Sequence, residues 1–142
     1  MKKMSRRGPP EGAIFIDGEV PFHDIDPLHI AWHGHYFKYL ELARTALFRK
    51  HGIDGEELLE TGYRFVVVDA HCRYVSPLLY GHRYRVWAWF LDVEQRIHVA
   101  YEIKNLSEDR RAARGRTVLV TTDHEGRMLM ETPDVLLSRI RS

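Results

Sequence analysis

Between Phe22 and Tyr36 the chain places two aspartates, Asp24 and Asp26, and four histidines, His23, His29, His33 and His35, immediately ahead of a helical pattern. Pro27 fixes its own φ and excludes the α region for the residue before it, so Asp26 is expected on an extended, pre-bent backbone. His33 and Gly34 lead into a helix expected to begin near His35, and the first amides of a helix have no internal hydrogen-bond partners. A carboxylate and several unpaired N–H donors thus share one short segment. That pairing suits attack on a carbonyl compound whose oxygen becomes negative. Each residue also has a structural alternative. Asp26 and Asp24 could simply cap the turn or hold the loop, as Asp-Pro commonly does. The imidazoles could hold a metal, but they lack the spacing on an established helix that brings two ligands together, so no metal is expected.

The elements that must position this segment follow from periodicity. Ala13-Ile14-Phe15-Ile16, continuing through Val20-Pro21-Phe22, reads as a first strand. Tyr36, Leu40, Ala43 and Leu47 recur at the spacing of one buried helical stripe. A helix from Tyr36 to His51 would be about 24 Å long, enough to cross a sheet face. Gly52 suits its C-cap, and a short second helix is expected at 54–59. From Tyr63 the period becomes two, giving runs at 63–75, 82–93, 96–105 and 112–123 and a weaker one at 127–131, separated by turn residues such as Ser76-Pro77 and Glu125-Gly126. In the third run Ile97, Val99, Tyr101 and Ile103 alternate with His98, Ala100, Glu102 and Lys104, the pattern of a half-buried antiparallel strand. Asp69, His71 and Arg73 form a polar face that must meet solvent or a partner subunit. Trp87 and Trp89 are expected as core or helix contacts. Pro133 opens a C-terminal helix over 134–140. One long helix against an antiparallel sheet is an α+β layer fold.

The pattern Phe22-x-Asp24-x-Asp26-Pro27-x-x-Ile30-x-Trp32-x-x-x-Tyr36, followed by Glu41-x-Ala43-Arg44, resembles the hot-dog-fold acyl-CoA thioesterases of the 4-hydroxybenzoyl-CoA thioesterase group. Trp32-His33-Gly34-His35-Tyr36 is most similar to the short-chain acyl-CoA thioesterase branch associated with the Tol-Pal system. Leu28-His29 stand where those relatives commonly carry a small residue and a glycine. The resemblance implies a hot-dog fold, an antiparallel sheet wrapped around one long central helix, and hydrolysis of acyl-CoA to free acid and CoA without a cofactor. It makes Asp26 the nucleophile or general base and the His33 backbone N–H the oxyanion donor, with Asp24, Trp32, Gly34, His35 and Tyr36 at the substrate. It further implies a homodimer or homotetramer, whose exposed sheet edges would pair. Glu41, on the long helix, is the rival carboxylate, because another hot-dog branch keeps its acid there. Three other readings stay open: a protein that binds acyl-CoA without hydrolysing it, a thioesterase for acyl-carrier protein, and a dehydratase pairing His33 with Glu41. Arg64, Arg73, Arg83, Arg85, Arg96 and the Arg110-Arg111 pair could line a rim for the CoA phosphates.

Composition narrows the remaining classes. A chain of 142 residues suffices for one domain, expected over residues 13–142, and is short for two. Residues 1–12, basic at first and then rich in Gly and Pro, are expected to form a disordered tail. Lys and Arg total 21 against 20 acids, which gives no support to nucleic-acid binding or a membrane-surface role. The Gly-Pro stretch interrupts any signal-peptide core and no window reaches the length of a membrane span, so a cytoplasmic protein is expected. The single cysteine, Cys72, excludes an internal disulfide and fits a reducing compartment.

Overall fold

The computed structural model describes residues 8–142. Five strands form one antiparallel sheet: β1 (Ile14–Glu19), β2 (Arg64–Tyr74), β3 (Arg83–Asp92), β4 (Ile97–Asn105) and β5 (Arg110–Thr122), in the order β1-β3-β4-β5-β2. The long helix α1 (Tyr36–Lys50) lies on one face, followed by the short α2 (Gly55–Glu60), and α3 (Asp134–Arg141) closes the chain. Single 3-10 turns occur at Phe22–Asp24 and His33–His35. This is the expected hot-dog arrangement. Among the described residues no helix is long and apolar enough to cross a membrane.

The helical stripe is what holds the layers together. Leu40, Ala43 and Leu47 recur one turn apart and are buried, and Tyr36, Tyr39 and Phe48 widen the buried face. Opposite them stand Tyr84, Val86 and Ala88 of β3 and Val99, Tyr101 and Ile103 of β4. Gly115 on β5 lets the helix approach, since a Cβ there would lie 2.7 Å from Leu40 Cδ1.

Several expectations are corrected. Trp87 and Trp89 do not touch the helix. Tyr84, Val86 and Ala88 take the inward positions of β3, so the tryptophans point outward, Trp87 beside Phe15 at 6.4 Å and under the Arg85 guanidinium. The outer side of β4 is also less open than alternation implies. Ala100 is buried between Trp89 and Arg116, and Glu102, bonded to Arg111 at 2.8 Å, lies between Trp87 and Arg114. The run 127–131 is not a strand: it contributes a bridge between Thr122 and Met128, because Asp123 captures the Glu125 and Arg127 amides in a tight turn. Of the expected 1–12 tail, residues 1–7 lie outside the described residues, while 8–12 form a defined turn in which the Ala13 N–H bonds to the Pro10 carbonyl at 3.2 Å.

β2 forms one edge of the sheet and is accessible on both faces. A bulge at Val68 skips one residue, so Asp69 faces Val118 and the polar set Asp69, His71 and Arg73 lies on the outer face. Val66, Val67 and Val68 remain 45%, 42% and 40% exposed.

Candidate active site

The segment 25–31 folds into a miniature hairpin that seats Asp26. Ile25 bridges Ala31, and the Asp26 N–H bonds to the Ile30 carbonyl at 2.9 Å. Between them Asp26-Pro27-Leu28-His29 is a tight turn closed by the His29 N–H on the Asp26 carbonyl, with Asp at its first position and Pro at its second, as turn chemistry favours. His29 then takes φ +66°, the left-handed conformation that favours glycine. The Asp26 carboxylate does cap this turn: Oδ1 accepts the Leu28 N–H at 2.8 Å. Its other oxygen, Oδ2, has no partner among the described residues. The capping role therefore uses one oxygen and leaves one for chemistry.

Asp24 is the anchor beneath this hairpin. Its side chain is fully buried. Both oxygens accept from Lys38 Nζ at 2.8 Å, Oδ2 also accepts the Tyr39 hydroxyl at 2.6 Å, and His23 and His35 approach to 3.6 and 3.7 Å. Burial opposes ionisation, yet the bonds from Lys38 and Tyr39 and the nearby His35 outweigh it and hold the carboxyl below its usual range. Burial, reinforced by the facing carboxylate, drives the Tyr39 phenol strongly upward, so it stays a donor. The Asp24 carbonyl accepts the Trp32 N–H at 2.9 Å. One residue thus ties both ends of the site segment to the first turns of α1.

The turn His33–His35 presents the amides. The first N–H to close a ring is that of His35, on the Trp32 carbonyl at 2.9 Å, and the His33 and Gly34 N–H groups lie ahead of it. The Trp32 indole lies over Gly34, and a Cβ there would fall 2.2 Å from the ring as it stands.

A cleft of about 340 Å³ opens between this segment and the end of β2, lined by Asp26, Leu28, Ile30, Ala31, His33, Tyr36, Tyr74, Val75, Ser76 and Pro77. Of the residues singled out in the sequence, it gathers Asp26, His33 and Tyr36. Asp24, Trp32, Gly34 and His35, expected at the substrate, do not line it. Asp24 has no exposed side-chain surface in this chain, and the other three form a stack behind the turn, with the Trp32 and His35 rings 5.4 Å apart. Sequence reading missed Tyr74. It follows β2's alternation onto the inner face, where its hydroxyl donates to the His33 carbonyl at 2.9 Å and burial pushes its phenol up to about 12. Lys38 and Tyr39 were missed too, although their place in the first turn of α1 after an acidic segment was a usable signal.

Glu41 lines a different hollow, with Arg44, Thr45, Phe48 and Phe65. Among the phosphate-rim candidates, Arg85 is bonded to Asp17 at 2.7 and 2.9 Å and Arg111 to Glu102 at 2.8 Å, so each already faces an acid. Cys72 is partly buried, and burial pushes its thiol up to about 11, the opposite of an activated thiolate. No group of three or more His, Cys, Asp or Glu among the described residues is arranged to hold a metal ion.

Known proteins share this architecture. A Thermus thermophilus thioesterase crystallised with coenzyme A and zinc is 28% identical, with a TM-score of 0.78 over 93% of this chain and 95% of that one. A mutant of 4-hydroxybenzoyl-CoA thioesterase in complex with 4-hydroxybenzoyl-CoA superposes at a TM-score of 0.79 over 90% and 98% of the two chains, at 17% identity. In sequence, 74 residues are 32% identical to a Bacillus subtilis protein whose name provisionally makes it an acyl-CoA thioesterase, covering 52% of this chain and 54% of that protein. An Aquifex aeolicus relative is likewise matched over 52% of its length, so the chain spans about half of each of these two curated relatives. The family model described as thioesterase-like superfamily matches residues 20–140, and the chain belongs to that family.

Proposed function

We propose that this protein hydrolyses acyl-CoA thioesters. The observation that carries the reading is the cleft itself: Asp26, a carboxylate with one uncommitted oxygen, and His33, whose N–H lies ahead of a closed turn, meet on a largely apolar surface. In this scheme the acyl group enters the cleft and its carbonyl oxygen meets the His33 amide. Asp26 either attacks the carbonyl carbon, giving an anhydride that water then opens, or removes a proton from a water that attacks directly. In both versions the C–S bond breaks, the sulfur leaves as a thiolate and then takes up a proton, and the acyl carbon gains the water oxygen. A thiolate is a good leaving group near neutral pH, so neither acid assistance nor a metal is required.

The placement of Glu41 in a separate hollow supports Asp26 over its rival and gives no support to a pairing of Glu41 with His33 within one chain. We infer self-association through β2, whose free edge carries three exposed valines and ends at Tyr74 beside the cleft. A partner strand there would run along the rim of the site.

The test is thiol release from a panel of short, long and aromatic acyl-CoA esters. Asp26→Asn should cost about a hundredfold or more in kcat with the fold intact, because the amide keeps shape and loses basicity, whereas Glu41→Gln should be mild. Acyl-CoA binding without thiol release, or loss of activity on Glu41→Gln but not on Asp26→Asn, would sink the proposal.

A further inference from the structure

We propose that the cleft takes uncharged, apolar acyl groups and rejects acyl groups that end in a carboxylate. This inference rests on the thioester-hydrolysis reading and names the substrate class of the same site. In a ligand cleft a small number of polar groups decide what is accepted, so the donors along its walls settle the matter. Most of them are already spent. The Leu28 N–H is bonded to Asp26 Oδ1 at 2.8 Å, and the Ala31 N–H to the Leu78 carbonyl at 2.8 Å. On the opposite wall the Val75 and Ser76 N–H groups both go to the Ala112 carbonyl, at 2.8 and 3.1 Å, and Pro77 has no N–H to offer. The hydroxyls are engaged as well. Tyr74 donates to the His33 carbonyl at 2.9 Å, Ser76 donates to the Arg111 carbonyl at 2.6 Å, and Tyr36 is buried with its hydroxyl oxygen on the Leu78 amide. The His33 amide stays open, and the thioester oxygen uses it.

Charge points the same way. Among the described residues no lysine or arginine lines the cleft, and its one carboxylate, Asp26, keeps an oxygen open there. His33 is the lining side chain that can become a cation, and its ring is packed against those of Trp32 and Tyr74 at 5.1 and 5.9 Å. A second carboxylate carried in on the acyl group would lose water, meet no fixed cation and lie near a like charge, and each of these is unfavourable. An alkyl group meets none of these costs. Leu28 and Val75 stand 75% and 53% exposed on the two walls, with Ile30 and Pro77 beside them, and Leu79, bridged to Ile30, continues the apolar surface. Covering that surface is what an alkyl chain adds to binding.

Butyryl-CoA and succinyl-CoA differ by a terminal methyl against a terminal carboxylate. In assays at pH 8, where free imidazole is neutral, kcat/KM for butyryl-CoA should exceed that for succinyl-CoA by at least about tenfold once spontaneous hydrolysis is subtracted. From acetyl-CoA through butyryl-CoA to hexanoyl-CoA it should rise about twofold for each added methylene, against about fourfold for complete burial. A smaller butyryl-to-succinyl ratio, or a flat chain-length series, would overturn the proposal. Val75→Lys sets a cation on one wall at an exposed position and should cut the ratio by about tenfold; an unchanged ratio would show that the acyl group does not lie there, and refutes the assignment. Binding gives a measurement independent of turnover. By calorimetry S-butyl-CoA should bind at least about tenfold tighter than S-(3-carboxypropyl)-CoA, both thioethers that cannot be hydrolysed, and equal affinities again refute. If wild-type protein releases no thiol from any ester, the hydrolysis reading fails while the calorimetry still decides which acyl class the cleft takes.

Discussion

Replacing Asp24 by asparagine tests whether a buried carboxylate holds the site together. The change removes one charge from a group that accepts from Lys38 and Tyr39 with no exposed side-chain surface. Hydrogen bonds to a charged group contribute about 1.5–3 kcal/mol each. Lys38, however, is about half exposed and recovers hydration when its partner is neutralised, which cuts its share below about 1 kcal/mol. Tyr39 can still donate to the asparagine oxygen, at about half the strength. The expected loss is therefore about 2 kcal/mol. At about 2.1 cal/mol/K of unfolding entropy per residue, 142 residues give about 3 °C per kcal/mol, so Tm should fall by about 6 °C. The pH dependence follows from the direction of the shift. The folded-state pKa lies below the unfolded value of about 3.9, so the stabilisation is complete above that value and is lost as pH falls through the folded pKa. Urea titrations from pH 7 to pH 2.5 should show a constant gap between wild type and variant down to about pH 5. The gap should then close as the wild-type carboxyl protonates. A gap below about 0.5 kcal/mol at pH 7, or one that stays open to pH 2.5, would refute the assignment.

The backbone and side-chain roles of His33 separate cleanly: His33→Ala should keep kcat within about tenfold, because the donor survives, whereas His33→Pro deletes the N–H and should cost about a hundredfold or more at unchanged circular dichroism. A loss of several hundredfold in His33→Ala would make the imidazole itself the acid or base. His29→Gly relieves the left-handed strain and should raise stability by about 1 kcal/mol in urea titration; destabilisation would mean that the His29 side chain makes up for its strain. Lysines at Val66 and Val68 should block edge pairing and shift the protein towards monomer by light scattering, with activity falling in parallel. Unchanged size would remove β2 as the interface.

What could be read from the sequence divides along the range of the interactions involved. The stripe of Tyr36, Leu40, Ala43 and Leu47 and the alternations of β2 to β5 are local periodicities, and the structure reproduces them to within a few residues. The choice of face is less local. In β3 both alternating sets are apolar, Tyr84-Val86-Ala88 and Trp87-Trp89, and only the register with β4 and the helix decides which set turns inward. Asp24 and Asp26 look alike in sequence, two residues apart and equally suited to capping. What separates them is contact with distant groups. Lys38 and Tyr39 reach Asp24 because a 3-10 turn at Phe22–Asp24 swings its side chain under α1, whereas the Pro27 turn carries Asp26 to the other side, against Tyr74, Val75 and Ser76. The chemistry proposed here therefore depends on a division of labour that spacing cannot express. Of two neighbouring carboxylates, one gives up its reactivity to Lys38 and Tyr39 while the other keeps an oxygen open.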